Sequence, residues 1–225
     1  MVLRRIAVTG LGLVNPFGGD VEGFFTHLLN ADSAIRLLTL DDPAGVLSIP
    51  ALQCRDFNPA AELGKPLAPT MDRFSQLGAA AAFSAWRDAG LPLDGPAEHK
   101  DYGLSWGTGV GGVTTFEQGY KNLYRSNQRL FTPLAVVMAM NNAAAAHIAI
   151  KLGLAGNCLT YSVACASSTV AIGEAFHAIR GGRASLMVVG GSEAPLAYGV
   201  LRAWESLRIL APGNTATAPA ACHSA

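Results

Sequence analysis

Cys158-Leu-Thr-Tyr-Ser-Val-Ala-Cys165-Ala-Ser-Ser-Thr169 reads as a short strand that runs straight into a helix, with Cys165 at the junction. A thiolate at that place faces unpaired amides and the positive end of the helix dipole, which stabilise the anion and raise the nucleophilic fraction near neutral pH. The same amides can hold the oxyanion that develops when sulfur attacks a thioester or ester carbonyl. Small neighbours, Ala164, Ala166, Ser167 and Ser168, leave room for a substrate. A buried structural cysteine, the common fate of a free thiol, fits the same local pattern. Local context alone leaves both readings open.

Outward from this stretch, strand signals recur at Ile6–Val14, Tyr102–Gly107, Leu159–Val163 and Leu186–Val189. Helical signals lie between them. Asp20 is placed to cap Val21–Asn30, and Thr70 to cap Met71–Ala89, which Gly90 and Pro92 then close. Further helices are expected over Pro133–Lys151, Ser167–Arg180 and Pro195–Leu207. The apolar run from Leu134 to Leu154 carries Asn141, Asn142, His147 and Lys151, so it reads as a buried helix and not a membrane span. Asp32–Pro69 reads as an irregular excursion. Apolar strands alternating with helices predict an α/β fold with a largely parallel sheet flanked by helices.

Composition agrees with a core-rich chain. Of 225 residues 50% are hydrophobic and 14% charged, with sixteen basic residues balancing sixteen acidic ones. That excludes a disordered chain, and it leaves no cationic excess for nucleic acid. The four cysteines form no Cys-x-x-Cys pair, so neither a disulfide framework nor a metal site is expected, and a reducing compartment is the default. The amino-terminal apolar run is broken by Thr9, Gly10 and Gly12 and reads as a first strand, not a secretion signal.

Gly107-Thr-Gly-Val-Gly-Gly112 fits Gly-x-Gly-x-x-Gly after a strand. A dinucleotide site would require an acidic residue about 20 positions later, and none lies between Glu117 and Glu174. Tight-turn packing is the expectation, with no cofactor. Gly190-Gly-Ser192-Glu-Ala194 approaches a hydrolase nucleophile elbow, but the acid and histidine that should follow have no credible positions.

Val163-Ala-Cys-Ala-Ser-Ser168 with Ala171-Ile-Gly-Glu-Ala175 resembles the nucleophile segment of the β-ketoacyl-acyl-carrier-protein synthases, members of the thiolase-fold superfamily. Arg5–Gly18, Met71-Asp-Arg-Phe74 with the helix to Leu91, Gly107–Gly112 and Val188–Ala194 resemble other family segments in the same order. The resemblance implies a thiolase-like layered α/β fold, of which this chain is expected to be a truncated N-terminal half. It implies a ketosynthase N-terminal domain over 1–210, with 211–225 an unstructured tail outside the family pattern.

The resemblance also assigns chemistry. Cys165 is expected to accept an acyl chain from an acyl carrier protein, after which malonyl carrier protein loses carbon dioxide and its enolate attacks the acyl-cysteine. Val110, Leu134 and Ala135 fall where the family lines its acyl pocket; ordinary loop and helix packing is the competing reading. The family's enolate-stabilising histidines come from its second half. After Cys165 this chain has only His177, roughly 18 Å along the nucleophile helix, and His223 near the end. His147 precedes the nucleophile and reads as a packed helix residue. Two outcomes are thus expected: a cytoplasmic, homodimeric acyltransferase of fatty-acid or polyketide elongation, or a catalytically incomplete fragment or partner subunit without turnover. The dimer would pair through Leu159–Val163.

Overall fold

The computed structural model describes residues 4–18, 20–93, 98–125 and 129–211. In chain order the elements are α1 (Val21–Leu29), β1 (Arg36–Asp42), β2 (Gly45–Ala51), α2 (Pro59–Leu63), α3 (Arg73–Asp88), β3 (Tyr102–Gly107), α4 (Val113–Arg125), α5 (Ala135–Ala139), α6 (Ala143–Leu152), β4 (Cys158–Tyr161), α7 (Ser167–Arg180), β5 (Leu186–Gly191) and α8 (Tyr198–Ser206). They form two compact units. One takes the chain up to Leu13 and Asn58–Pro195; the other takes Val14–Phe57 and the chain from Leu196 onward. The tail expected from residue 211 lies outside the described residues from 212 on.

The first unit is built on a parallel sheet in the order β4-β3-β5. Leu104 of β3 pairs with Cys158 on one side and Val188 on the other. Parallel neighbours require crossovers; α4, α5 and α6 supply the first, α7 the second. Side chains alternate across the central strand. Leu104 and Trp106 join a core with Phe74, Phe83 and Trp86 of α3 and with Ala144 and Ile148 of α6. Gly107 lies on the opposite face, where a Cβ would run into the backbone of Ser167 and Ser168. Helix α7 can lie that close to β3 only because the side chain is missing. The sheet is therefore a layer between α3 and α6 on one face and α7 on the other, the α/β arrangement that the chain's alternation predicted.

Helix α3 begins two residues later than the Thr70 cap predicted. Its N-cap is Asp72, whose side chain accepts from the Phe74 N–H at 3.2 Å. The other carboxylate oxygen accepts from the Thr115 N–H at 2.9 Å and the hydroxyls of Thr114 and Thr115, each at 2.6 Å, tying α3 to α4. Helix α4 itself was not anticipated. The expected helix over Pro133–Lys151 is two helices, because Met140 is extended (ψ 140°) between α5 and α6. The Gly112 N–H donates to the Ala139 carbonyl at that break. Helix α7 buries Ser167, Ala171 and Ala175 along one stripe and exposes Ile172 and Phe176.

Ile6–Val14 is the other correction. Among the described residues its backbone forms no sheet ladder. Gly10 and Gly12 seat residues 6–12 directly on the backbone of α3, and the Leu11 N–H donates to Asp88 at 2.8 Å. The free edge of β5 lies across a cavity of about 370 Å3 lined by Ile6–Gly10, Leu186–Gly191 and side chains of α3 and α7. A segment anchored to the helix beyond that space cannot reach the edge strand's hydrogen-bonding groups.

Asp32–Pro69 is more regular than its composition suggested, with β1 and β2 in the second unit and α2 in the first. β1 and β2 form an antiparallel hairpin with Asp42 opposite Gly45. Asp42 accepts from the Ala44 N–H at 3.0 Å to set the turn, and Gly45 takes a φ of 133°. Leu38, Leu47 and Ile49 pack with Tyr198 and Leu201 of α8. Arg202 donates to the Val46 carbonyl at 3.0 Å. Asp20 caps α1 through the Gly23 N–H at 2.8 Å, as the sequence predicted.

Two predictions follow from this packing. Asp72→Ala removes a cap and leaves two threonine hydroxyls without their acceptor, so it should cost about 2–4 kcal/mol in denaturant unfolding. His147, on α6, is half-buried, and desolvation holds its imidazole below the ordinary 6.5 despite an opposing backbone hydrogen bond at Thr70. The unfolded chain binds that proton more readily. Stability associated with the neutral ring is present above pH 6.5 and is lost as pH falls from there through the folded value. Unfolding of His147→Gln at pH 7.5 and 5.5 should show a smaller pH dependence than the parent.

Candidate active site

The site grows from the C-terminal ends of the three parallel strands. At the end of β4 the ladder continues one step, with the Thr108 N–H donating to the Tyr161 carbonyl at 3.1 Å. The chain then turns over Ser162, Val163 and Ala164 before Cys165. Ala164 sits in the left-handed region, φ 48°, where a residue with a Cβ pays about 1–2 kcal/mol. The turn is held by Ser167, which is buried at 2% exposure. Its Oγ accepts from the Val163 N–H at 2.8 Å and lies 2.7 Å from the Ala164 carbonyl and 3.3 Å from the Thr108 carbonyl, either of which can take its proton.

Cys165 is carried out on this turn, directly before the Ala166 N-cap of α7, and it is exposed. Exposure removes the buried-structural reading of this thiol. The helix end is less open than the sequence suggested. The Ala166 N–H donates to the Val163 carbonyl at 3.1 Å and the Ser167 N–H to the Ala164 carbonyl at 3.2 Å. Those two amides are spent on closing the turn. Cys54 and Cys158 are half-buried, and burial pushes the Cys158 thiol above its ordinary value.

Beside the turn lies Gly107–Gly112. Ser162 Oγ donates to the Gly109 carbonyl at 3.1 Å, and the Asn141 amide reaches Ser162 Oγ at 3.4 Å. The amides of this loop already have an anion. Gly109 N–H donates to Glu193 Oε2 at 2.5 Å and Val110 N–H to the same oxygen at 3.2 Å, while the Thr108 hydroxyl lies 3.3 Å from Oε1. The Gly111 N–H closes on the Thr108 hydroxyl at 3.2 Å. Sequence reasoning missed both Ser167 and Glu193. A signal for the second was present: an acidic residue two positions beyond a strand that neighbours the glycine loop's own strand.

Of the other residues singled out, Val110 and Leu134 are 39% and 43% exposed, whereas Ala135 is buried at 2%. Val110 stands in the loop beside the Cys165 turn. Leu134 and Ala135 begin α5, whose far end at Ala139 meets Gly112. None of these three, nor Cys165, lines the 370 Å3 cavity. Ser192 Oγ accepts from the Trp106 indole N–H at 3.0 Å and serves packing, not a hydrolase triad. His177 lies in the last turn of α7, at the opposite end from Cys165; His223 lies outside the described residues. Among the described residues no three His, Cys, Asp or Glu side chains gather as a metal site.

The chain is similar to known proteins in both sequence and fold. The chain is 35% identical over 212 residues to nodulation protein E of Rhizobium leguminosarum bv. trifolii, covering 93% of this chain and 52% of that protein. It is 32% identical over 211 residues to 3-oxoacyl-[acyl-carrier-protein] synthase 2 of Staphylococcus aureus strain N315, covering 94% and 51%. The chain thus spans about half the length of the curated relatives it matches. Among solved structures, the ishigamide ketosynthase/chain length factor superposes with a TM-score of 0.81 at 24% identity, over 94% of this chain and 52% of that one. A type II polyketide ketosynthase in complex with its acyl-carrier protein superposes with a TM-score of 0.74 at 25% identity, over 91% and 55%. The fold is the N-terminal part of the thiolase-like layered α/β structure. With residues 3–222 matching the model of the β-ketoacyl synthase N-terminal domain, the chain belongs to the β-ketoacyl synthase family.

Proposed function

We propose that this chain carries the acyl-accepting half of a 3-oxoacyl-acyl-carrier-protein synthase, with Cys165 as the nucleophile. The observation that carries the reading is the exposed thiol on a left-handed turn at the N-terminus of α7, in a chain of this family. The Cys165 thiolate attacks the thioester carbonyl of an acyl carrier protein. A new carbon–sulfur bond forms, charge passes to the carbonyl oxygen, and the carrier thiolate leaves as the tetrahedral species collapses. For the developing oxyanion this chain supplies the Cys165 amide and the positive end of α7. Val110 and Leu134, apolar and partly exposed, would meet the acyl chain, while Ala135 is buried at the start of α5.

In the second half-reaction malonyl carrier protein would release carbon dioxide, and its enolate would attack the acyl-cysteine, expelling the Cys165 thiolate. An enolate requires donors aimed at its oxygen. The histidines that serve this purpose in the family come from its second half, and the coverage of about half of each relative supports the reading that residues 1–225 alone acylate without condensing. A homodimer would form along β4, an edge strand of the sheet whose Leu159 is 51% exposed. A cytoplasmic setting is our reading of four cysteines that form no Cys-x-x-Cys pair. No described helix is long and apolar enough to cross a membrane.

The test is to incubate the chain with an acyl carrier protein thioester and read acylation by intact mass and peptide mapping, with Cys165→Ala as control. The acyl group should appear on Cys165. Adding malonyl carrier protein should then give no 3-oxoacyl product; product from the chain alone would refute the division of labour. With iodoacetamide, Cys165 should be alkylated before Cys54 and Cys158, at least about tenfold faster than the raised, half-buried Cys158 thiol. Acylation confined to Cys54 or Cys158 would remove Cys165 from the mechanism.

A further inference from the structure

We propose that Glu193 is a positioning residue, an internal anion that fills the glycine-rich loop and thereby sets the wall beside the Cys165 turn. The inference rests on the acyl-transfer reading above. The loop Gly107–Gly112 has the backbone of an anion cradle, with successive amides turned toward one point. That point is occupied by the chain itself, because the Gly109 and Val110 amides converge on a single oxygen of Glu193. Two N–H groups sharing one acceptor oxygen are held more strongly by a carboxylate, whose charge roughly doubles the strength of each bond, than by a neutral amide.

The same loop residues hold the nucleophile turn from their other side. Gly109 offers its carbonyl to Ser162, three residues before Cys165, and Thr108 offers its carbonyl to Ser167, two residues after it. A shift of Gly109 therefore reaches the Cys165 turn through one hydrogen bond, and it moves Val110 through one peptide link. Glu193 stands just beyond β5, whose backbone is fixed against β3, so the carboxylate is a rigid post and the loop is what it positions. Glu193 is an exposed residue and lies outside the apolar core. Removing it should leave the fold in place and the loop amides facing a vacancy that a small carboxylate from solution can enter.

Glu193→Ala in the full chain tests this. Circular dichroism should be unchanged, and amide hydrogen exchange at Gly109 and Val110 should accelerate by about tenfold or more. Acylation of Cys165 by acyl carrier protein thioester should slow by about tenfold, while its alkylation by iodoacetamide, which needs no loop wall, stays within about twofold. Formate should restore both the amide protection and the acylation rate, and isosteric neutral formamide, a weaker acceptor, should restore both much less at the same concentration. A residue that served bulk stability alone would not be rescued this way. Glu193→Gln keeps the size and one acceptor and should show the same loosening at smaller amplitude; it carries the comparison if the alanine variant does not fold.

Unchanged exchange at Gly109 and Val110, or exchange that formate leaves unaltered, would overturn the clamp. Faster exchange with an undiminished acylation rate would overturn the positioning role. If the parent Cys165 takes no acyl group while formate still protects the loop of Glu193→Ala, the acyl-transfer reading fails and the clamp stands.

Discussion

Parallel pairing of β3 with both β4 and β5 is the constraint from which the site follows. Parallel strands end at the same edge of a sheet, so everything emitted from their C-terminal ends is gathered there. β3 emits the glycine loop, β4 the turn that carries Cys165, and β5 the Ser192–Glu193 pair. These residues are as far apart as 107 and 193 in the chain, yet each is within a hydrogen bond or two of the next. The central strand can serve this purpose because it is buried on both faces, with Leu104 at 0% exposure on one and Ser105 at 2% on the other. Its hydrogen bonds are shielded and its position is held by the helices packed on either side.

At that edge, strain is concentrated at one residue and offset by another. Ala164 in the left-handed region is what lifts the thiol clear of the strand line, and the buried Ser167 hydroxyl is what compensates for it. Because Ser167 also lies against the Thr108 carbonyl, the compensation is shared with the neighbouring strand. A thiol held this way needs little rearrangement on meeting a substrate, the form of preorganisation that the proposed acyl transfer would reward. The glycine at 107 belongs to the same device, since only an absent side chain lets the first turn of α7 approach β3.

Two stretches show how a local pattern can be completed differently by its surroundings. Gly107–Gly112 has the spacing of a dinucleotide loop, and the decisive fact is which anion occupies its amides: a carboxylate from β5, not a phosphate. Ile6–Gly12 has the composition of a strand, but pairing is a property of two edges. Its backbone is seated on α3 by Gly10 and Gly12, with a cavity between it and β5. Composition specifies that such a segment is extended; it does not specify what the segment pairs with.

The amino-acid sequence by itself determined the alternation of strands and helices, the parallel character of the sheet, the helix over Ser167–Arg180 with Cys165 before its start, and the family. These are legible because they rest on local chemistry: apolar strand runs, caps such as Asp20, and motif residues adjacent in the chain. Only the tertiary structure decided that the thiol is exposed, that Ala135 is buried while Val110 and Leu134 are not, and that the helix over Pro133–Lys151 breaks at Met140. It also decided that Asp72 and not Thr70 caps α3, through hydroxyls some forty residues away. The roles of Ser167 and Glu193 belong to the same class. Each depends on a hydrogen bond to a residue distant in sequence, and no spacing rule encodes such a bond, because the strand order that creates it is settled only when the sheet closes around β3.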